Sequence, residues 1–371
     1  MRVIFAGGGT GGHLYPGLAI ARALVRLDPR VQPFFVGARR GIERDVLPAT
    51  EFPHVLLDLH PLYRSRPWEN WKTARGMVSA WRRLGALQDD AAGRARLVVG
   101  TGGYASGLAL AWAAAHRVPY VLQEQNSHPG LTMRLFARGA REIYLGFPEA
   151  AASLRTGRGT QVVDAGNPIE PPTQPRPSRE AARARWQLPA HDRVLLVFGG
   201  SQGARAINDA VAAWVGAGGL PDGISLLWVT GKGSFEQYRG HEGPRVRVLP
   251  YVSPMREAYA AADVAISRAG AMGTAELCAW EIPMLLVPLP TAAADHQVVN
   301  ARALERAGAA EVLLQRDVTA ERLDASVRAL LGDPARLEAL AEGARRRARP
   351  DAADAIARRI RALLDDARGR S

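Results

Sequence analysis

The sequence predicts an α/β fold of two Rossmann-like domains, each built on a parallel sheet, that face each other across a cleft. An apolar run at 2–5 leads into glycines and then into helical apolar spacing over 14–27, and the same order recurs at 193–198, 199–203 and 204–215. Between the two copies, 166–180 is rich in proline and lacks periodicity, as expected of a linker. A chain of 371 residues is long enough for two domains.

Short apolar runs alternate with helical patterns on both sides of this linker. We expect strands at 2–5, 31–36, 97–99, 118–122 and 142–145 before it, and at 193–198, 225–229, 245–249, 264–267 and 284–287 after it. Such alternation is typical of parallel sheets. The predicted domains are therefore 1–165 and 181–345, followed by a C-terminal helix within 346–371 whose apolar residues share one face.

Composition sets limits on the cellular setting. The apolar run at the N-terminus is too short for a signal peptide, and no apolar run reaches the roughly 18 residues that span a bilayer. We expect a cytoplasmic chain that reaches a membrane only from its surface. The net charge of +12 comes mostly from arginine and favours a polyanionic partner: nucleic acid, anionic lipid or phosphate. Cys278, the only cysteine, stands in an apolar stretch and is expected to be buried.

The glycine run 7–12 has the G-x-G-x-x-G spacing that lets backbone amides and a helix N-terminus approach a pyrophosphate. A dinucleotide site also needs an acidic residue at the end of the second strand, where this chain has Val36 and Gly37. Hydride transfer on NAD is therefore disfavoured.

Three further turns follow predicted strands. The turn 199–203 adds Ser201 and Gln202 as donors for a diphosphate, 100–104 is a third glycine turn, and 267–276 leads into a helix carrying Glu276. Glu276 is placed to accept the two hydroxyls of a ribose, although a carboxylate near a helix N-terminus also stabilises the helix without a ligand. Close helix packing would equally require the glycines.

His13 directly follows the first turn and is the candidate general base, because a neutral imidazole can accept a hydroxyl proton near pH 7. A histidine that only bonds to backbone is the alternative. No metal-binding motif occurs, so we expect no metal and no cofactor.

The segment 64–83 mixes tryptophan with cations, as interfacial segments do. Stacking on RNA and burial against a domain are the alternatives. Because the rest of the chain has no RNA-binding signature, we expect no nucleic-acid partner and an anionic membrane contact through Trp68, Trp71, Lys72, Trp81 and Arg82.

Six motifs occur together in one order along nearly the whole chain. They are Gly8-Gly9-Thr10-Gly11-Gly12-His13, Glu124-Gln125-Asn126, Gly166-Asn167-Pro168, Gly199-Gly200-Ser201-Gln202-Gly203-Ala204, Ala269-Gly270-Ala271 with Glu276, and Asp295-His296-Gln297 with Asn300. In this set and order the chain resembles the MurG family of bacterial N-acetylglucosaminyltransferases, which convert lipid I to lipid II in peptidoglycan synthesis.

The resemblance implies a GT-B fold and an inverting transfer of GlcNAc from UDP-GlcNAc to the C4 hydroxyl of MurNAc in lipid I. It implies an N-terminal domain that binds the acceptor and the membrane, a C-terminal domain that binds UDP-GlcNAc, and action at the cytoplasmic face of the membrane. The implied positions are Thr10, Gly11 and Gly12 at the donor phosphates and sugar, Asn126 at GlcNAc, Ser201 at the diphosphate, the Val252 backbone at uracil, Ala271 and Met272 at phosphate, Glu276 at the ribose, and His296 and Gln297 near the sugar.

The chain departs from the family pattern at three places. Glu170 replaces a usual arginine, Gly273 replaces a common threonine, and Trp228-Val229 replaces a His-Gln pair. The donor site is therefore expected to be retuned. A glycosyltransferase for another lipid and a non-enzymatic nucleotide or RNA binder are the remaining alternatives.

Overall fold

The computed structural model describes residues 1–58, 79–86, 93–200, 202–290 and 295–366. By its internal contacts the chain divides into two compact units. The N-terminal unit contains Met1–Ile169 and the chain from Asp351 onward, and the C-terminal unit contains Glu170–Pro350. Both units have a parallel sheet, as the alternation of strands and helices predicts.

The N-terminal unit has a seven-stranded sheet in the order β3-β2-β1-β4-β5-β6-β7, with every neighbouring pair parallel. Apolar strands at its centre are buried on both faces, which is what helices on both sides of a parallel sheet require. The elements are β1 (Arg2–Gly7), α1 (Gly11–Leu27), β2 (Gln32–Ala38), α2 (Glu43–Val46), β3 (His54–Leu57), α3 (helical over 79–86), β4 (Ala95–Gly102), α4 (Gly103–Ala115), β5 (Tyr120–Glu124), α5 (Leu131–Phe136), β6 (Glu142–Leu145) and β7 (Gln161–Asp164).

The C-terminal unit has a six-stranded sheet in the order β10-β9-β8-β11-β12-β13, again parallel throughout. Cys278 is buried here as expected, and burial raises the pKa of its thiol to about 12. The elements are α6 (Arg179–Arg185), β8 (Arg193–Phe198), α7 (Arg205–Gly216), β9 (Ile224–Val229), α8 (Phe235–Tyr238), β10 (Val246–Leu249), α9 (Arg256–Ala261), β11 (Val264–Ser267), α10 (Ala271–Ala279), β12 (Met284–Leu286), α11 (His296–Arg306), β13 (Ala310–Val312), α12 (Ala320–Leu331) and α13 (Pro334–Arg347).

The last helix, α14 (Ala352–Asp366), returns to the N-terminal unit and packs on α1. Its apolar face, with Ile356 and Ile360, joins the core behind β1. Arg361 lies 2.6 Å from Asp28, which fixes the other side of the helix. Within the described residues, no helix combines the length and the apolar character needed to cross a membrane.

Candidate active site

The predicted glycine turns lie at the carboxyl edge of each sheet, on the strands where the strand order reverses direction. β1 and β4 are neighbours at this point in the first sheet, and β8 and β11 are neighbours in the second. Loops leave these adjacent strands toward opposite sides, which opens the crevice in which parallel α/β sheets bind their ligands. Each sheet therefore has two motif-bearing turns side by side.

In the N-terminal unit, the turns after β1 and β4 interlock through backbone contacts. The Gly8 amide donates to the Gly102 carbonyl at 3.2 Å. A Cβ added at Gly103, whose φ is +80°, would lie 2.1 Å from the Gly8 carbonyl oxygen, so no larger residue fits there. The glycines thus hold two loops closer together than side chains would permit.

His13 stands on the first turn of α1, with its ring against Gly102. A Cβ at Gly102 would lie 2.7 Å from His13 Cδ2. His13 Nδ1 is 3.2 Å from the Gly8 carbonyl and 3.4 Å from Thr10 Oγ1. Because a carbonyl only accepts, the Gly8 contact favours the tautomer with hydrogen on Nδ1, which leaves Nε2 as the basic nitrogen.

Glu124 closes the loop after β5. Its buried carboxylate accepts the Asn126 amide at 2.9 Å and the Gly130 amide at 2.9 Å, and burial raises its pKa. Asn167 braces the same strand end by donating to the Gln125 carbonyl at 3.0 Å. Glu124 and Asn167 therefore position the half-buried Asn126 side chain.

In the C-terminal unit, the turn after β8 packs against the turn after β9. A Cβ at Gly203 would lie 2.1 Å from the Thr230 carbonyl oxygen, which Asn208 of α7 also contacts at 2.9 Å. The turn leads into the N-terminus of α7, whose first amides are available to an anion. Ser201 lies outside the described residues.

Beside it, the loop after β11 opens into α10. Ala271 is its first residue, Met272 follows, and Glu276 stands one turn later. The Tyr259 hydroxyl donates to Glu276 Oε2 at 2.6 Å. Burial raises the pKa of Glu276, and this hydrogen bond from Tyr259 lowers it. The remaining carboxylate oxygen, Oε1, is the candidate acceptor for ligand hydroxyls.

Three further predicted residues lie in a loop or at the start of a helix in the same unit. Val252 is buried in the loop after β10, and His296 and Gln297 begin α11. Gln297 Oε1 accepts the Leu289 amide at 3.0 Å, so this side chain also ties together the ends of its loop. Asn300 anchors α11 by donating to the Ala269 carbonyl at 3.3 Å.

The predicted membrane segment is described only from 79 onward, so Trp68, Trp71 and Lys72 lie outside the described residues. Trp81 packs against the core, with its ring 5.8 Å from His116 at the end of α4, and Arg82 is exposed.

Next to His116, at the amino ends of β5 to β7, is a cavity of about 470 Å³. Four exposed arginines line it, and no ion pair involves them in the part of the chain that the structure describes: Arg117, Arg138, Arg141 and Arg158.

Two departures from the family pattern have a clear structural setting. Glu170 pairs with Arg256, which begins α9. Trp228 is fully buried, and its indole donates to Asn208 Oδ1 at 3.0 Å. It belongs to the core of the C-terminal unit.

Sequence reasoning missed two residues at these loops, Glu43 and Tyr259. Glu43 lies six residues beyond Gly37, past the end of the second strand where a dinucleotide site has its acid, and its carboxyl group contacts the first glycine turn. Tyr259 had no motif around it. The sequence signal for Glu43 was an acidic residue shortly after β2, and that for Tyr259 was a tyrosine in α9, the helix before β11.

Comparison with known proteins identifies the family. Residues 3–145 match the glycosyltransferase family 28 N-terminal domain, and residues 194–356 match the corresponding C-terminal domain. The chain belongs to glycosyltransferase family 28. The predicted resemblance to the MurG family, the GT-B fold and the assignment as a glycosyltransferase are confirmed.

Relatives match this glycosyltransferase over nearly their whole length. UDP-N-acetylglucosamine--N-acetylmuramyl-(pentapeptide) pyrophosphoryl-undecaprenol N-acetylglucosamine transferase of Moorella thermoacetica is 41% identical, covering 96% of this chain and 97% of the relative. The protein of the same name from Salinibacter ruber is 40% identical, covering 98% and 97%. The crystal structure of Acinetobacter baumannii MurG has a TM-score of 0.75 at 26% identity, covering 97% of this chain and 99% of that one.

Proposed function

We propose that this glycosyltransferase transfers GlcNAc from UDP-GlcNAc to the C4 hydroxyl of MurNAc in lipid I, which yields lipid II for peptidoglycan synthesis. The observation that carries the proposal is the 41% identity to an enzyme named for this reaction over 96% of the chain. The motif turns at the reversal points of both sheets support it.

The reaction is a single inverting displacement without a metal. The C4 oxygen bonds to the anomeric carbon while the bond from that carbon to the UDP oxygen breaks, and its electron pair leaves with UDP. The hydroxyl proton passes to His13 Nε2, the nitrogen that the Gly8 carbonyl contact leaves basic. Backbone amides at the N-termini of α7 and α10 stabilise the charge that develops on the diphosphate.

The proposed contacts follow the motif positions. In the N-terminal unit, Thr10, Gly11 and Gly12 contact the donor phosphates and sugar, and Asn126 contacts GlcNAc. In the C-terminal unit, the Val252 backbone contacts uracil, Glu276 binds the ribose hydroxyls, and diphosphate and sugar contacts come from Ser201, Ala271, Met272, His296 and Gln297.

The acceptor of this reaction is lipid-linked, and we propose that the protein meets it as a peripheral protein at the cytoplasmic face. The segment 64–83 and the four arginines of the cavity supply cations for an anionic bilayer, where each basic group contributes about 1 kcal/mol. We expect no nucleic-acid partner.

The experiment is UDP release from purified protein given UDP-GlcNAc, with and without a lipid I analogue, in EDTA. Release that requires the analogue and persists in EDTA is expected. Binding of UDP-GlcNAc without release would redirect the search to other lipid acceptors, and loss of release in EDTA would exclude the metal-independent mechanism.

A further inference from the structure

Glu43 is a buried carboxyl group enclosed by glycines directly beneath the first glycine turn. It is the first residue of α2 and has no exposed surface. A Cβ added at Gly8 would lie 1.6 Å from its Oε1, and one added at Gly41 would lie 1.7 Å from its Oε2. At Gly37 the added atom would lie 2.8 Å from the Glu43 Cβ. A side chain at Gly8, Gly37 or Gly41 would therefore occupy the space that the Glu43 side chain fills.

The carboxyl group is attached to the turn by a hydrogen bond. The Gly9 amide donates to Glu43 Oε1 at 2.5 Å, and Gly9 has a φ of +95°, in the region that favours glycine. The next residue, Thr10, is the N-cap of α1, and His13 follows within the first turn of that helix. Glu43 therefore contacts the backbone immediately before the proposed base and donor-binding residues.

The second oxygen, Oε2, is buried and has no hydrogen-bond partner in the described structure. A buried ionised oxygen without a donor is costly, whereas a neutral carboxyl group can still accept the Gly9 amide with its carbonyl oxygen. Burial accordingly raises the pKa of Glu43.

We propose that Glu43 is a positioning residue for the transfer reaction: by accepting the Gly9 amide from below, it fixes the turn that presents Thr10 and His13. This inference rests on the proposed function of that turn. Glu43 acts as a hydrogen-bond acceptor of fixed length, so an amide of the same size, whose carbonyl oxygen can accept the same bond, is an adequate substitute.

The test compares Glu43→Gln, which keeps size and acceptor, with Glu43→Leu, which removes the acceptor, and Glu43→Asp, which withdraws it by one methylene. Glu51→Gln, at an exposed ion pair with Arg22, is the matched control. The measurements are kcat and KM for UDP release with the lipid I analogue, and amide hydrogen exchange of a peptide covering 7–13.

We expect Glu43→Gln and the control to keep kcat and exchange close to those of the unmodified protein. Glu43→Asp should lower kcat with faster exchange at 7–13, and Glu43→Leu should lower it by about 100-fold, the scale of a 1 Å misplacement. Wild-type kcat in Glu43→Asp, or an inactive Glu43→Gln with normal exchange, would overturn the inference.

The exchange measurement needs no substrate, which separates this inference from the proposed reaction. If the unmodified protein releases no UDP, the proposed function fails; exchange that stays slow in Glu43→Asp would then also refute the positioning role, and faster exchange would support it. If Glu43→Leu does not fold, Glu43→Asp carries the comparison alone.

Discussion

His13 is held by backbone of its own turn, and that contact makes its role as a base testable. With hydrogen on Nδ1 directed to the Gly8 carbonyl, Nε2 is the nitrogen that can accept a proton. His13→Ala should lower kcat by about 10²- to 10⁴-fold, the usual contribution of general base catalysis, with UDP-GlcNAc binding retained. His54→Ala, in β3, is the control and should leave turnover unchanged. Near-normal kcat in His13→Ala at saturating substrates would remove it as the base.

Tyr259 contributes to the pKa of the proposed ribose acceptor, Glu276. Its hydroxyl donates to Oε2 and lowers the pKa of Glu276, while burial raises it. Removing the hydroxyl in Tyr259→Phe raises that pKa further, so the carboxylate form is lost at a higher pH as the solution is acidified. The acidic limb of kcat/KM for UDP-GlcNAc should therefore move to higher pH, with a KM increase of about ten-fold.

Tyr238→Phe is a matched control for Tyr259→Phe, because it too removes a buried hydroxyl that donates to a carboxylate of the same unit, that of Asp209. Its profile should coincide with that of the unmodified protein. If Tyr259→Phe left the acidic limb of kcat/KM for UDP-GlcNAc unchanged, Glu276 would not be the residue whose ionisation controls donor binding.

The positions of residues that belong to a sequence motif could be predicted. The positions of Glu43 and Tyr259, which contact those residues from elsewhere in the chain, could not. Glycine runs correctly predicted turns with Gly8, Gly102 and Gly203 at strand ends, where parallel sheets commonly bind their ligands. Glu43 and Tyr259 reach their partners only through tertiary packing, which no local spacing encodes. The predicted roles of His13, Asn126 and Glu276 remain predictions.

At the level of elements, the interlocked turns after β1 and β4 depend on glycine for two separable reasons: a positive φ, and a lack of space for a Cβ. Gly218, just after the end of α7, shares only the first of these with Gly103. Gly103 and Gly218 both have positive φ, of +80° and +72°, but only Gly103 would place a Cβ against other backbone. Gly218→Ala should cost about 1–2 kcal/mol of unfolding free energy through strain alone.

Gly103→Ala should lower stability more than Gly218→Ala and also lower kcat, because the Gly8 carbonyl must move and His13 moves with it. Thermal unfolding and UDP release measure the two effects. Equal stability losses, with turnover unchanged, would show that the two turns are not mechanically coupled.

Central strands were predicted well, whereas of the four edge strands in the two described sheets β10 was predicted and the other three were not. β1, β8 and β11 are apolar because helices cover both faces, and their sequences stand out. β3, β7 and β13 escaped prediction: each is three or four residues long, and β7 is largely exposed. An edge strand buried on few sides needs few apolar residues, so its pattern is weak.

For the whole molecule, the sequence predicted a C-terminal helix but not the unit to which it belongs. The spacing of Ile356 and Ile360 predicts an apolar helix face but does not indicate which element that face packs against. The structure supplies it: α14 packs on α1, and Arg361 reaches Asp28 from the far end of the chain. Such pairing of distant segments is decided by shape and charge in the folded unit.

The distribution of charge over the molecule leads to a prediction about membrane binding. The cavity at the amino ends of β5 to β7 gathers four exposed arginines that form no ion pair within the described residues. Arg138→Gln with Arg141→Gln should weaken binding to anionic vesicles by about 30-fold, at about 1 kcal/mol for each charge. Co-sedimentation measures this binding.

The matched control is Arg306→Gln with Arg322→Gln, which removes the same charge from exposed positions of the C-terminal unit. If net charge alone governed binding, both pairs would weaken it equally, because a diffuse field depends on total charge. A local contact instead predicts loss only with the cavity pair, and only on vesicles that contain anionic lipid. Equal losses would therefore remove the arginine cavity from the membrane contact, and high salt should abolish the cavity effect because it screens the attraction.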